Sequence, residues 1–306
     1  MPLRHSPPYQ SRPSLIDREL SGLVADAPQI EKLAVPAAFH ISAALEGPKV
    51  VIFGSIHGDE PAGSLAVKEL LTQFADCTLK LLRGSVILAV GNELALEQRV
   101  RKVERDLNRL FEFESIIEPS GYEERRAEEL RDLLAGADYM MDLHATSKSS
   151  SPFLMCESHL LAEAQAMGFA RIVTGWGELG EASLGGDTES YINQMGGKGF
   201  TVETGQRDDA EGCANALDAA RRLLRHVSLL PYEAADVTAP AIYKLFASIK
   251  VEEATFKYRQ PFGSFNPLVE GELIGCDANK EYRAPCDCVL VMPSNDEFML
   301  ARRRSN

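Results

Sequence analysis

The sequence predicts a large α/β domain followed by a small all-β module, and three observations carry that expectation. The apolar run Val50-Val51-Ile52-Phe53 is β-branched and aromatic, too short for a helix, and stops at Gly54, with a helical pattern over Pro61 to Phe74 directly behind it. The alternation then recurs: Gly84 to Val90 reads as a second buried strand, Tyr122 to Ala135 as an amphipathic helix, and Ala137 to Thr146 as the strand that follows it. From about Pro240 onward no helical periodicity survives, and short alternating or apolar runs separated by turn residues take over.

Taken in order, the chain begins MPLRHSPPYQSRPS, so polar and proline-rich that an extended arm is expected ahead of any regular element, with His5 solvated in it. Two strands are expected between Ala37 and Phe53, with Glu46-Gly47-Pro48 as the turn between them. In the helix over Pro61 to Phe74, Pro61 sits near the first turn, and Leu65, Ala66, Leu70 and Leu71 fall at helical spacing. The charged segment Glu93 to Arg105 reads, on composition alone, as a solvated helix. Glu118 to Gly121 is a loop, and the next helix turns Ala127, Leu130 and Leu134 inward.

After the 139–146 region, Lys148 and Ser149-Ser150-Ser151 suggest a mobile loop. Phe153 to Cys156 is a strand, and His159 opens a helix. Gly177, Gly180, Gly185, Gly186, Gly196 and Gly197 make the stretch from Gly175 to Gly199 glycine-rich, which predicts a flexible lid. A short strand over Thr201 to Gly205 and a helix over Asp208 to His226 complete the first domain near Leu230-Pro231. In the all-β part, Ile242 to Ile249 alternates, while Gly271 to Gly275 and Val289 to Pro293 are short strands.

The chemistry gathers at strand ends. His57 and Glu60 flank a Gly58-Asp59 turn just past the first apolar run, and imidazole and carboxylate are standard zinc donors. A catalytic zinc ion takes three protein ligands and keeps one position open, so a third donor is needed from another strand end; His144 supplies it. Asp142, two residues before His144, is either a locally hydrogen-bonded buried acid or a group that orients a ligand imidazole. Glu203 is a lone acid in an apolar run. A carboxylate buried there must pair, Arg207 being the candidate, or serve a metal-bound water.

Four motifs in order now resemble one family: GSIHGDEPAG at Gly54 to Gly63, Arg101 with the DLNR core that carries Asn108 and Arg109, DLHAT at Asp142 to Thr146, and VETG at Val202 to Gly205. The chain resembles the succinylglutamate desuccinylase and aspartoacylase family, a branch of the zinc carboxypeptidase clan, over most of its length and least in its first 35 residues. The resemblance implies a three-layer α/β/α zinc-carboxypeptidase-like domain with a mixed sheet over residues 36–235, between an N-terminal arm over 1–35 and an all-β domain over 236–306. It also implies one zinc ion per chain on His57, Glu60 and His144, Glu203 as the catalytic acid–base, and Arg101 polarising the scissile carbonyl. Asn108 and Arg109 would hold a substrate carboxylate, where a guanidinium fork binds in a way that lysine cannot. The reaction so implied is hydrolysis of the amide bond of a small anionic N-acyl amino acid. A zinc carboxypeptidase acting on small peptides and a non-catalytic metal-binding relative are the alternatives.

There are departures from the family pattern. Family members often have Asn-Pro where this chain has Asn92-Glu93, and aspartoacylase-like members carry a further arginine where this chain has Asn193, for which Arg207 is a substitute without a motif behind it. Gly186 to Tyr191 loosely resembles the family's glycine-threonine stretch. Tyr243, Tyr258 and Tyr282 are candidate substrate contacts from the C-terminal module.

Composition bounds the partners. A net charge of -13 over 306 residues repels polyanions, which argues against nucleic acid and anionic membranes while leaving a small anionic substrate open. No run approaches the roughly 18 apolar residues of a membrane span, and the N-terminus has no apolar signal core, so a cytoplasmic protein is expected, with homo-oligomerisation left open. The six cysteines, Cys77, Cys156, Cys213, Cys276, Cys286 and Cys288, form no disulfide framework and read as reduced, mostly buried thiols; Cys286 and Cys288 lack the partner pair that a zinc knuckle needs.

Overall fold

A computed structural model of the chain describes residues 13–112, 118–179, 186–233 and 239–304. Of the segment expected to be an N-terminal arm, residues 13–35 are described, and they hold regular elements. Ser14 caps helix α1 (Leu15–Leu23), its hydroxyl accepting from Asp17 N at 2.9 Å, and Leu20 and Val24 are buried. Strand β1 (Ile30–Lys32) then pairs antiparallel with β2 (Ala38–Ser42). The most polar part of that arm, His5 included, lies outside the described residues.

The expected strand over Val50 to Phe53 is β3 (Lys49–Gly54), followed by α2 (Ala62–Ala75) and β4 (Ser85–Val90). Glu46-Gly47-Pro48 does not make a hairpin. β4 inserts between β2 and β3, antiparallel to the first and parallel to the second, so β3, α2 and β4 form a crossover unit. On α2 the inward stripe is Ala66, Val67, Leu70, Leu71 and Phe74, while Leu65, one position off it, is 49% exposed.

Further along come α3 (Glu93–Gln98), α4 (Tyr122–Leu134), β5 (Tyr139–Thr146), β6 (Phe153–Cys156), α5 (Leu161–Ala166), β7 (Arg171–Thr174), α6 (Thr188–Gln194), β8 (Lys198–Gln206) and α7 (Gly212–His226). Within the stretch from Gly175 to Gly199 expected as a flexible lid, α6 corrects that expectation over Thr188–Gln194, and residues 180–185 are outside the described residues. Asp187 caps this helix by accepting from Ser190 N at 2.7 Å, and Tyr191 and Ile192 pack into the core. Gly180 and Gly185 fall outside the described residues.

β3, β5 and β8 lie side by side and parallel, whereas β6 runs antiparallel to β8, so the sheet is mixed. Alternation along β3 divides the core. Val50 and Ile52 face α2 and α7; Val51 and Phe53 face α4 and α6. Helices therefore cover both faces, giving three α/β/α layers.

The C-terminal strands are β9 (Ala241–Lys250), β10 (Lys257–Tyr258), β11 (Pro267–Leu268), β12 (Leu273–Cys276), β13 (Glu281–Arg283), β14 (Cys288–Val291) and β15 (Glu297–Arg303). β9 pairs in parallel with β7, so β9, β15, β14 and β11 extend the main sheet to twelve described strands, and β10, β12 and β13 form a small separate sheet. The inferred boundary at residues 235 and 236 lies outside the described residues.

Two further points differ from expectation or bound it. Of the six cysteines only Cys156 and Cys288 are buried. No helix among the described residues is long and apolar enough to cross a membrane.

One clamp holds the sheet edge to the helical layer. Arg126 of α4 is 1% exposed; its guanidinium donates to Gly91 O and Val90 O at 2.7 Å each, to Pro36 O at 3.0 Å and to Glu129 Oε2 at 2.8 Å, with Glu93 3.6 Å away. Arg126→Met keeps much of the volume but strips the donors and leaves Glu93 buried without its counter-charge. It is expected to lower unfolding free energy by about 3–5 kcal/mol, measured by equilibrium unfolding in urea. A loss under about 1 kcal/mol would show that the clamp is replaceable by packing.

Candidate active site

Because β3 and β5 are parallel neighbours, their C-terminal ends open on one edge of the sheet, where α/β proteins build their sites. Past β3 the chain turns sharply at Ser55, whose φ of 57° is left-handed and whose hydroxyl donates to Glu60 O at 2.8 Å. Gly58 lies so close to α3 that a Cβ there would meet Ala95 C at 2.0 Å; a glycine is required for this turn to fit. The turn delivers His57 and Glu60 inward, and β5 delivers His144.

The three side chains converge. Glu60 Oε1 is 3.1 Å from His57 Nδ1, and Oε2 is 3.0 Å from His144 Nδ1 while also accepting from Ala145 N at 3.0 Å. One donor atom from each lies within 4.8 Å of the others, and all three residues are buried, so they could hold a metal ion. Behind each imidazole stands an acid. His57 Nε2 is 3.1 Å from Asp106 Oδ1, and His144 Nε2 is 3.0 Å from Asp142 Oδ2. The second contact is close but not aligned as a hydrogen bond. Thr188 fixes Asp142 by donating to Oδ2 at 2.6 Å.

The electrostatics follow. Burial alone would raise Glu60, but the charges and hydrogen bonds of His57 and His144 together hold its carboxyl well below the usual range. Burial opposes charge on His144 too, and Asp142 and Glu60 outweigh it, raising the imidazole well above its ordinary value. Asp106 is likewise held low against burial by His57, Arg101 and Arg109.

Of the charged segment from Glu93 to Arg105 expected as a solvated helix, Glu93–Gln98 is helix α3, and the stretch from Arg99 to Arg105 does not continue it. Buried Glu123 organises that stretch, accepting from Val103 N at 2.6 Å, Glu104 N at 3.1 Å and Arg105 N at 3.2 Å. Arg101 thereby reaches the site: Nε and Nη2 donate to Asp106 Oδ2 at 3.1 and 3.0 Å, and Nη1 lies 3.5 Å from Glu60 Oε1. Asn108 Oδ1 is occupied by Thr188 N at 3.2 Å, leaving the amide NH2 of its side chain for a ligand, and Arg109 is exposed at the pocket wall.

Glu203 of β8 stands directly beside His144 in the parallel register. It is 8% exposed, and its Oε2 has no hydrogen-bond partner among the described residues. Burial, then the nearby charge of Glu60, pushes its carboxyl up to about 7. Arg207 does not pair with it, its guanidinium being bound to Asp59.

His57, Glu60, Arg101, Asp106, Asn108, Arg109, His144, Glu203 and Arg207 line one cavity of about 500 Å³, together with Met292, Ser294, Asn295, Asp296 and Glu297 from the turn between β14 and β15 and the start of β15. The three tyrosines singled out from the C-terminal module are not in its lining. Tyr243 is in the core, Tyr282 binds Asp277 at 2.9 Å, and Tyr258 donates to Ser294 O at 2.6 Å, bracing the wall rather than forming it. Lys148 lines the pocket, and the serine run beside it is pinned through Ser264 N to Ser149 O at 2.9 Å. Asn193 instead accepts from Gly199 N at 2.8 Å at the start of β8. Sequence reasoning missed Asp106, although it sits inside the DLNR motif. It also missed Glu123, which has no motif of its own, and gave no role to Thr188 and Glu189 within the Gly186 to Tyr191 stretch.

The chain is similar to known proteins to different depths. The succinylglutamate desuccinylase/aspartoacylase catalytic domain family matches residues 46–230. An N-acyl-aromatic-L-amino acid amidohydrolase (carboxylate-forming) of Xenopus tropicalis is 33% identical over 35% of this chain and 37% of its own, so the chain matches only about a third of that relative's length. A succinylglutamate desuccinylase of Pseudoalteromonas atlantica is 23% identical over 94% of this chain and 89% of its own. In fold, the succinylglutamate desuccinylase of Vibrio cholerae superposes with a TM-score of 0.73 at 18% identity, covering 97% of this chain and 98% of the other.

The paired acids give a direct test. Asp106→Asn and Asp142→Asn remove the charge behind each imidazole while keeping size, and each is expected to weaken zinc binding about 10–100-fold, read by titration against a chromogenic chelator. Unchanged affinity in both variants would show that the acids only pack.

Proposed function

Because the chain belongs to the succinylglutamate desuccinylase/aspartoacylase family, we propose that it is a zinc-dependent hydrolase that cleaves the amide bond of an N-acyl amino acid into a carboxylate and an amine. The observation that carries this reading is the convergence of the His57, Glu60 and His144 donors beside Glu203, a buried carboxyl with an oxygen left free to take a proton. Two imidazoles and a carboxylate suit zinc, and Asp106 and Asp142 orient the rings from behind. When bound there, one zinc ion per chain supplies Lewis acidity toward water and carbonyl oxygen and a positive charge that favours the ionised form of Glu203.

The chain's own residues do the rest. Arg109 and the Asn108 amide hold the substrate carboxylate, which sets the scissile carbonyl near Glu203. Glu203 removes a proton from the attacking water as its oxygen bonds to the carbonyl carbon, and returns that proton to nitrogen as the C–N bond breaks. Arg101, tied to Asp106 and close to Glu60, is placed to stabilise the oxygen on which negative charge develops. The Xenopus, Pseudoalteromonas and aspartoacylase relatives, named for reactions on N-acyl amino acids, support that substrate class over small peptides.

The test is Glu203→Gln. Zinc content is expected to match the wild type, while kcat for N-acetyl, N-succinyl or longer N-acyl amino acids falls at least about 10²-fold. Hydrolysis retained by the purified variant would remove Glu203 from the mechanism, and faster turnover of dipeptides than of any acyl amino acid by the wild type would turn the reading to a carboxypeptidase.

A further inference from the structure

The mechanism above leaves two buried acids of the pocket unused, Asp187, which caps α6, and Glu189. Glu189, the second residue of α6, is 5% exposed and lines the cavity that holds Glu203 and Arg109. Its Oε2 accepts from Thr201 Oγ1 at 2.8 Å, and its Oε1 has no hydrogen-bond partner among the described residues. An ionised carboxyl so buried needs a cation or further donors. The charged groups that bear on it are instead acids: burial first, then Asp187, Glu157 and Asp142, hold it well above the usual carboxylate range, with only the Thr201 hydroxyl opposing.

The position of this group relative to the reaction is set by the sheet. Thr201 and Glu203 are two residues, about 6–7 Å, apart along β8 and both line the cavity, so Glu189 is anchored to the strand two residues before the proposed base. Met155 sits opposite Thr201 in the β6–β8 register and lines the same cavity, giving an apolar flank. α6 is also tied to the carboxylate-binding segment: Thr188 N donates to Asn108 Oδ1 at 3.2 Å, and Phe111 N to Gly186 O at 2.8 Å. Glu189 thus belongs to a helix whose start is held against the segment that, on the reading above, receives the amino-acid half of the substrate. An apolar flank ending in an unpaired acid fits a short alkyl chain tipped by an ammonium group.

We infer that Glu189 is a specificity residue that binds a side-chain ammonium, so that the substrate is the Nα-acyl derivative of a diamino acid. This rests on the deacylase reading given above. The ammonium supplies the counter-charge and donor that Oε1 lacks, while Arg109 keeps the α-carboxylate. An acidic side chain would instead be repelled by Glu189 and Asp187. That reading also accounts for Asn193, which stands where aspartoacylase-like relatives carry an arginine and here is turned to Gly199 N.

The test compares near-isosteric chains with and without the charge. Zinc-loaded protein is assayed with Nα-acetyl-L-ornithine and Nα-acetyl-L-norleucine, and the binding of free L-ornithine and L-norleucine is measured by calorimetry. The ornithine compound should be favoured in both measurements by about tenfold or more, the scale of one charge-assisted hydrogen bond. In Glu189→Gln, which keeps the size and the Thr201 contact, the preference should collapse to within about threefold. Glu189→Asp should restore part of it. Equal or better binding of norleucine by the wild type overturns the inference even if the Gln variant fails to fold, and so does a preference that survives Glu189→Gln in a folded variant. If ornithine binds preferentially but neither acetyl compound is hydrolysed at full zinc loading, the subsite stands and the deacylase reading falls.

Discussion

The site depends on a single buried carboxylate, Glu60, held between two imidazoles that arrive on different strands. A charge at 3% exposure is tolerable only if it is compensated on every side, and here each oxygen meets a ring nitrogen, with Ala145 N as a further donor. That requirement fixes much else. β3 and β5 must be parallel neighbours so that both rings reach one point, the turn after β3 must pass through a left-handed Ser55, and Gly58 must be bare for the turn to lie against α3. Asp106 and Asp142 then balance the imidazoles from behind, which couples the ligand cluster to the loop of Arg101 and, through Thr188, to the start of α6.

This coupling explains which parts were legible in the sequence. The His57, Glu60 and His144 cluster and Glu203 were visible because apolar strands that end abruptly in a His or an acid are a local pattern, and β3, β4, β5, α2 and α4 followed from periodicity, while β1, β7 and β15 were not read at all. Strand order was not visible. Nothing local in Glu46-Gly47-Pro48 says that β4 will insert between β2 and β3, since that choice is made by the crossover of α2. Leu65 was misplaced because one position, about 100° around a helix, separates the core stripe from solvent. α1 was hidden by the proline-rich start, although Ser14 with Asp17 three residues on is a capping signal of the kind that opens helices. The lid was inferred from glycine count, and the Asp187 cap with Tyr191 and Ile192 in the core decided otherwise.

The acids that organise the pocket were the hardest to find. Glu123 binds three successive backbone amides of a distant loop, and Glu189 meets Thr201 across elements, so neither contact shows in its own segment. The C-terminal strands enter the same account. Sharing a sheet with β7, they bring Met292 to Glu297 to the pocket wall, where Tyr258 braces Ser294. The cavity lining thus carries cations, Arg101 and Arg109 among them, together with acids such as Asp187 and Glu189.

The measurement that bears most directly on the central claim is zinc titration of the metal-free protein while hydrolysis of an N-acyl amino acid panel is followed. The account predicts no turnover before zinc is added, a rise in proportion to bound zinc, and a plateau at one ion per chain. Full turnover by the metal-free protein, or one tightly bound zinc per chain with no panel member hydrolysed, would contradict it.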